Sequence, residues 1–433
     1  MILILVTEIS PRVKYTFELL FQLILKVNCT LTTNSAEFQK FAGAKFIYSK
    51  DSIDGALHFG AAELLFERNI KQPYLEVINQ GEETIFYSVS IGVLNFDPFA
   101  CTFYLVSRYE EYLHHNKDRH ERYLSEESTA FTSGFLDKPM VNIWAQKIKS
   151  IITSHFPEFE FPALVFSFTP TIDIDNAYAF RFKGIIRSTA AWAGELLNFD
   201  YQKLKRRALV QLGFLKDPYD TYENQDLIHK RNNVNPLYFI LLGNYGKYDK
   251  NLSYKHPKYR SLIRKIEKNS EVCLHPSYGS ANKKGQILIE KKRIERIVKR
   301  PVVKSRHHFI KIKLPDTYRN LIDAGFEEDY SMGYPDKVGY RASIATPFYF
   351  YDLVNEQQTN LKIFPFVVMD VTLKKYLHIK SKDVTSFLTP IIEENKKIGG
   401  HFIFIFHNES MSGEKMWKNW TDLYEKLIQI SNN

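Results

Sequence analysis

A chain of 433 residues, 44% hydrophobic and 15% aromatic, is too long for one small domain and too apolar for a disordered one, so two folding units are expected. Part of its +9 charge sits in residues 291–313, where basic side chains interleave with Ile294, Ile297 and Val298 at helical spacing. That pattern reads as a solvated helix face and argues against a nucleic-acid partner, while a peripheral contact with an anionic glycan or a membrane surface stays open.

The first residues, MILILVTEISPR, carry neither a basic leader region nor a small-residue cleavage site, which predicts a cytoplasmic protein. Three cysteines, Cys29, Cys101 and Cys273, show no CxxC spacing, which excludes a disulfide framework and fits a reducing compartment. Residues 1–135 read as a small α/β domain of unassigned role. Ile2–Val6 is a buried strand, and 11–27 is an amphipathic helix too often interrupted (Glu18, Gln22, Lys26) to span a membrane. A strand is predicted at 86–93, a helix at 96–113, and a polar loop at 117–132. A helix over about 141–155 then leads into a second unit, 136–433.

In that second unit apolar, β-branched and aromatic runs fall at 164–174, 237–242, 272–274, 302–310, 326–330, 363–369 and 402–406. Helical patterns at 259–268, 286–300, 316–324 and 382–397 separate most of them, and a last helix covers 415–430. Alternating strands and helices imply parallel pairing with right-handed crossovers. Seven such units suit a (β/α) barrel, with an open doubly wound sheet as the other solution. The long segment between the first two strands must be an insertion over one end.

Polar residues gather where these strands end. Asp173 and Asp175 close the first, Asn244 follows the second, His275 ends the third, His307 and His308 lie in the fourth, Asp329 in the fifth, Asp370 closes the sixth and His407 ends the seventh. In a barrel those ends share one rim, where active sites sit. Asp173 and Asp175 are two apart on a strand and face one side, so they can share a cation, share a proton, or simply cap the next turn. His275, with Pro276 behind it, is extended; imidazole beside carboxylate suits zinc or a similar divalent ion. Only one of the neighbours His307 and His308 can point inward, and His308 is taken as the further ligand or substrate contact.

These stretches resemble the polysaccharide deacetylase (NodB homology) family, in a divergent branch with an uncharacterised N-terminal domain. The resemblance covers most of 168–409 and implies a distorted (β/α)7-type barrel. TIDID stands where the family has Thr-Phe-Asp-Asp-Gly, which implies Asp173 as general base and Asp175 as metal ligand, one position later than usual. LHPSYGS is similar to the His-x-x-x-His motif, with His275 as its first histidine and Gly279 in place of the second; His308 is the substitute inferred here. GYRAS resembles Arg-x-Pro and implies that Arg341 holds the base. IFIFHNE resembles Leu-x-His and implies His407 as general acid, with Asp370 orienting it or the arginine. Tyr278 and Tyr340 are candidate substrate contacts near the rim.

The resemblance therefore implies a hydrolase that removes N-acetyl groups from a glycan or glycan precursor, dependent on a divalent metal: zinc, with cobalt, nickel or manganese as alternatives. Two other readings remain at this stage. One is a catalytically degenerate barrel that binds carbohydrate or acts as a scaffold, favoured by Gly279. The other is a metal-free glycosidase using the two aspartates, which one strand places poorly for bracketing a glycosidic bond.

Overall fold

The computed structural model describes every residue except 52–54, 81–82, 282, 284 and 433. The chain opens with β1 (Ile2–Val6), a run without polar interruption because both of its faces are covered. Ile2, Ile4 and Val6 enter the main core, whereas Leu3 and Leu5 pack with Phe38 and Ile47 on the other side. It pairs in parallel with β2 (Cys29–Thr32) and β3 (Lys45–Ser49), and β3 pairs with β4 (His58–Gly60), giving the order β2-β1-β3-β4. A small antiparallel hairpin follows, β5 (Ile78–Gln80) and β6 (Glu83–Ile85).

The strand expected at 86–93 forms only isolated bridges, Ser88 to Phe96 and Gly92 to Phe59. Gly92 adopts φ +94°, and a Cβ there would lie 2.5 Å from the Gly60 nitrogen, so the chain bends at a close backbone approach instead of extending a ladder. The helix expected at 96–113 spans Pro98–Val106, started by Asp97, whose carboxylate accepts from the Phe99 and Ala100 amides. It ends before Arg108, which takes a left-handed conformation.

The second sheet contains β7 (Ser167–Ile174), β8 (Leu237–Leu241), β9 (Glu271–His275), β10 (Lys304–Ser305), β11 (Glu328–Asp329), β12 (Phe348–Asp352), β13 (Gln357–Ile363), β14 (Val368–Met369) and β15 (His401–His407). Their order is β12-β13-β11-β10-β9-β8-β7-β15-β14, parallel throughout except for the β12–β13 hairpin. That hairpin was not expected. Its turn is nucleated by Asp352, whose carboxylate accepts from the Val354 and Asn355 amides. The predicted strand at 302–310 is cut to two residues because Phe309 and Ile310 turn left-handed, φ 62° and 53°. The run at 363–369 is likewise divided between β13 and β14.

This mixed α/β sheet is strongly curled. Arg306, just beyond β10, reaches Asp173 on β7 at 2.8 Å, past two intervening strands. Three strand spacings in a flat sheet are about 14 Å, so only curvature allows the contact. The ladder itself does not close: among the described residues no ladder pairs β13 with β14. Instead the connecting segment spans the seam, with the Phe364 amide donating to Asp329 O (2.8 Å) and the Val367 amide to Ile403 O (2.9 Å). Phe239, Cys273, Ile310, Tyr330, Phe366 and Ile405 fill the inside as one cluster beneath the strand ends.

Strand alternation sorts the two faces. Ile172, Ile174, Ile240 and Leu274 face the outer helices and the main core, and their neighbours Thr171, Asp173, Phe239 and Cys273 face inward. The helix Met140–His155 bridges the two halves of the chain, with Trp144 against Phe86 and Phe96 on one side and the segment before β12 on the other. The Val141 amide donates to Ser343 O, and the Asn142 side chain accepts from the Ala345 amide. Apolar core runs continuously across residue 135, from Ile2 to Ile428. Among the described residues no helix is long and apolar enough to cross a membrane.

Candidate metal centre

The period of two along β7 puts Asp173 and the following Asp175 on the inner side, as their spacing required. His275 arrives at the end of β9 and His308 in the turn after β10. Asp175, His275 and His308 can each offer one ligand atom, all within 4.8 Å of one another.

The hydrogen bonds fix which ring nitrogens are available. His275 Nδ1 lies 2.5 Å from Arg306 O, and a carbonyl only accepts, so Nδ1 carries the proton. Nε2 is then a lone pair in the neutral ring, yet it faces Asp175 Oδ1 at 3.2 Å. His308 repeats the arrangement: Nδ1 lies 2.9 Å from the Asp249 carboxylate and Nε2 lies 3.2 Å from Asp175 Oδ2. Asp175 Oδ1 is buried and receives no hydrogen bond of proper geometry. Lone pairs converging on a carboxylate with a buried, unpartnered oxygen are stable only around a cation, whether a proton or a metal. Backbone carbonyl and carboxylate partners on Nδ1 are also what commonly orients histidine ligands. The residues present therefore fit a divalent ion.

Without a metal the same cluster holds protons. Burial pushes the Asp175 carboxyl up, but His308, His275 and His407 outweigh it and hold it well below the usual range. For His308, burial acts downward, yet Asp175 and Asp249 raise it to about 9. Metal binding must then expel a proton from His308. Apparent zinc affinity is accordingly expected to rise about tenfold per pH unit on going from about pH 6 to 8. Chelator competition at several pH values measures this, and a flat profile would exclude His308 as a ligand.

Asp173 is buried and bound by Arg306, whose Nη1 donates 2.8 Å to Asp173 Oδ1 and 2.8 Å to Thr171 Oγ1. The Arg306 guanidinium lies over the Phe239 ring, 4.2 Å from its centroid. His407 closes the other side: Nδ1 meets Asp370 Oδ1 at 2.8 Å and Nε2 stands 3.7 Å from Asp175 Oδ2. Burial lowers His407, but Asp370, Asp175 and Asp173 raise it to about 10, so it stays protonated at neutral pH.

Two expected residues stand elsewhere. Arg341 does not hold Asp173. It forms a bidentate pair with Glu111, Nε to Oε1 2.8 Å and Nη2 to Oε2 2.6 Å, because the chain at 339–343 lies against the Pro98–Tyr112 region of the first unit. Tyr340 is fully buried with its hydroxyl on Asn395, inside the core and not on the rim. Tyr278 lies beside the cluster, tilted at 42° against Tyr248 at 4.3 Å and edge-on to Phe309 at 5.4 Å. Of the other rim candidates, His307 is buried with both ring nitrogens unpartnered, pushed down to about 3 by burial and the neighbouring His275. Asn244 accepts from Arg293, and Asp329 serves Ser305 and Ser331.

Asp249 is the functional residue that sequence reasoning missed. It sits in the loop after β8 and accepts from His308 and from the Tyr278 and Gly279 amides. A Cβ on Gly279 would lie 3.7 Å from Asp249 Oδ2, in ordinary contact with that carboxylate. Nothing in GNYGKYDKN marks it, since its role exists only once β8 and β9 are adjacent. Asp249→Ala is expected to weaken metal binding by roughly 10–100-fold with the fold intact. Titration against a chelator, with circular dichroism as control, checks it, and unchanged affinity would remove Asp249 from the site's support.

Comparison with known proteins gives two findings. A family of unknown function (DUF7033) matches residues 2–157. Among solved structures, one from Mycobacterium smegmatis named as a polysaccharide deacetylase aligns at 13% identity and TM-score 0.40, covering 63% of this chain and 88% of that one. One from Pseudomonas aeruginosa PAO1, also named as a polysaccharide deacetylase, aligns at 11% identity and TM-score 0.38, covering 61% and 84%. A 7,8-dihydropteroate synthase from Vibrio fischeri ES114 aligns at 8% identity and TM-score 0.28, covering 62% and 94%. A search of curated proteins matches none. Scores and identities this low assign no function, and the chemistry has to be read from the side chains.

Proposed function

We propose that the chain is a metal-dependent carbohydrate deacetylase, a distorted (β/α)7 barrel that hydrolyses the amide of an N-acetyl group on a glycan or glycan precursor. One observation carries this reading: His275 and His308 each spend Nδ1 on an acceptor and turn Nε2 to Asp175, with Asp173 and His407 flanking them. A divalent ion held by Asp175, His275 and His308, zinc before cobalt, nickel or manganese, would supply Lewis-acid polarisation of the acetyl carbonyl. Asp173, fixed by Arg306, whose guanidinium is itself anchored on Thr171, takes a proton from the attacking water. His407, kept protonated by Asp370, gives a proton to the departing amine as the C–N bond breaks. The products are acetate and the free amino sugar. Tyr278 offers a stacking surface for a sugar ring beside His308.

Metal analysis after dialysis, together with acetate release from N-acetylglucosamine oligomers and from O-acetylated glycans, tests the reading. Retention of about one equivalent of metal and acetate release that His407→Ala abolishes are the expected results. Absence of divalent metal binding at micromolar concentration overturns it. Retained metal with glycan binding but no turnover of any acetylated glycan favours the degenerate, carbohydrate-binding protein suggested by Gly279.

A further inference from the structure

Between β7 and β8 the chain inserts two helices, Ile185–Leu197 and Tyr201–Gln211, joined by a tight turn. The first is amphipathic in the inverted sense. Ile185, Ile186, Thr189, Ala193, Leu196 and Leu197 recur at helical spacing, and all are exposed. Its inward side holds instead Glu195, buried in a bidentate pair with Arg207 at 2.6 and 2.8 Å. Ile185 and Ile186 are 83% and 84% exposed, Leu197 78%, and Phe199 in the turn 74%. Leu212 and Phe214 add further exposed side chains at the opposite end. Among the described residues, nine of the 23 exposed large hydrophobic side chains fall within 185–215, a concentration that scattered surface residues do not produce.

The segment is also basic. Residues 181–216 hold eight Lys and Arg against two Asp and Glu, a net +6. Both acids are engaged within the hairpin, Glu195 by Arg207 and Asp200 as the cap accepting from the Lys203 amide. Lys203, Lys205 and Lys216 are exposed.

We infer that this hairpin docks on the surface of an anionic phospholipid bilayer. An apolar ridge about 20 Å long, flanked by lysines, matches the interfacial plane, where apolar side chains enter the acyl boundary and cations meet headgroup phosphates. A second copy is the poorer occupant. A two-fold interface would set the same +6 segment against itself. The hairpin is rooted in the loops of the metal centre: Arg187 donates to the carbonyls of Lys250 and Asn251, next to Asp249, and Lys183 bonds Asn176, next to Asp175. Lipid binding there brings that centre to the membrane surface. It does not depend on the centre's chemistry.

Flotation of the full chain with phosphatidylcholine vesicles containing about one-third phosphatidylglycerol tests this, with pure phosphatidylcholine vesicles alongside. Binding to the anionic vesicles that weakens with added salt is expected. The triple variant Ile186→Ser, Leu197→Ser, Phe214→Ser should bind roughly tenfold or more weakly, with melting temperature and metal content unchanged because all three side chains are exposed. Failure of the native chain to float overturns the inference. So does flotation that the triple variant leaves unaltered, or a lipid-free dimer that the same variant dissolves, since a second copy would then cover the face.

Discussion

Asp175→Ala and His275→Ala are each expected to lower divalent-metal affinity by more than about 100-fold, beyond the range for partners one step removed from the ion. The physical reason is the small number of donors. Only Asp175, His275 and His308 converge within 4.8 Å among the described residues, so each loss removes one of three protein ligands. Asp175 also supplies the only carboxylate of that trio. His275→Ala additionally leaves Asp173 and Asp175 without the imidazole that lies within 3.7 and 3.2 Å of them. Metal analysis after dialysis reads the effect directly, and thermal unfolding reads it independently. A ligand that binds only the folded state adds about 2.7 kcal/mol when present at 100 times its Kd. The native chain should therefore melt higher with added zinc, and both variants should not. Equal zinc stabilisation of native and variant chains would place the ion elsewhere.

The second large effect concerns stability. Glu111→Ala should destabilise the fold by about 3–5 kcal/mol, because it leaves a buried guanidinium without its counter-charge. Glu111 sits between Arg341 and Arg108, all three buried, and its carboxyl is held down to about 2, burial being overcome by the two arginines. Arg108 keeps Glu110 at 2.7 Å after the change. Arg341 retains a long contact to Gly333 O and the face of the Tyr334 ring at 5.3 Å but no carboxylate, so it becomes the unpaired charge. Denaturant unfolding measures the loss, and Glu111→Ala combined with Arg341→Met should recover part of it. Metal content should not change in either variant. If Arg341→Met instead abolished acetate release at unchanged stability, the orienting role would return from Arg306 to Arg341.

How far the site was legible follows from what each residue's role depends on. Asp173 and Asp175 were readable because strand periodicity is local, and His275 because it follows an apolar run and precedes a proline. Asp370 and His407 were readable as strand ends, and their pairing comes from the parallel β14–β15 ladder. That Arg306, and not Arg341, reaches Asp173 was not readable. Arg306 follows the two-residue β10 whereas Arg341 lies in the loop between β11 and β12, and which of them reaches Asp173 depends on sheet curvature. Asp249 lies in a loop whose geometry is set by β9 and the His308 turn packed against it.

The amino-acid pattern by itself determined the alternation of strands and helices, the insertion after the first long strand, and the inward aspartates and histidines. These follow from side-chain periods of 2 and 3.6 residues, which any backbone must obey. Tertiary structure alone decided where the ladder stays open, that β12 and β13 form a hairpin, which arginine pairs with which carboxylate, and that an apolar helix face is left uncovered. Those outcomes depend on contacts between segments tens to hundreds of residues apart. No local pattern encodes which of two equally charged side chains the folded chain brings within 3 Å of a buried carboxylate.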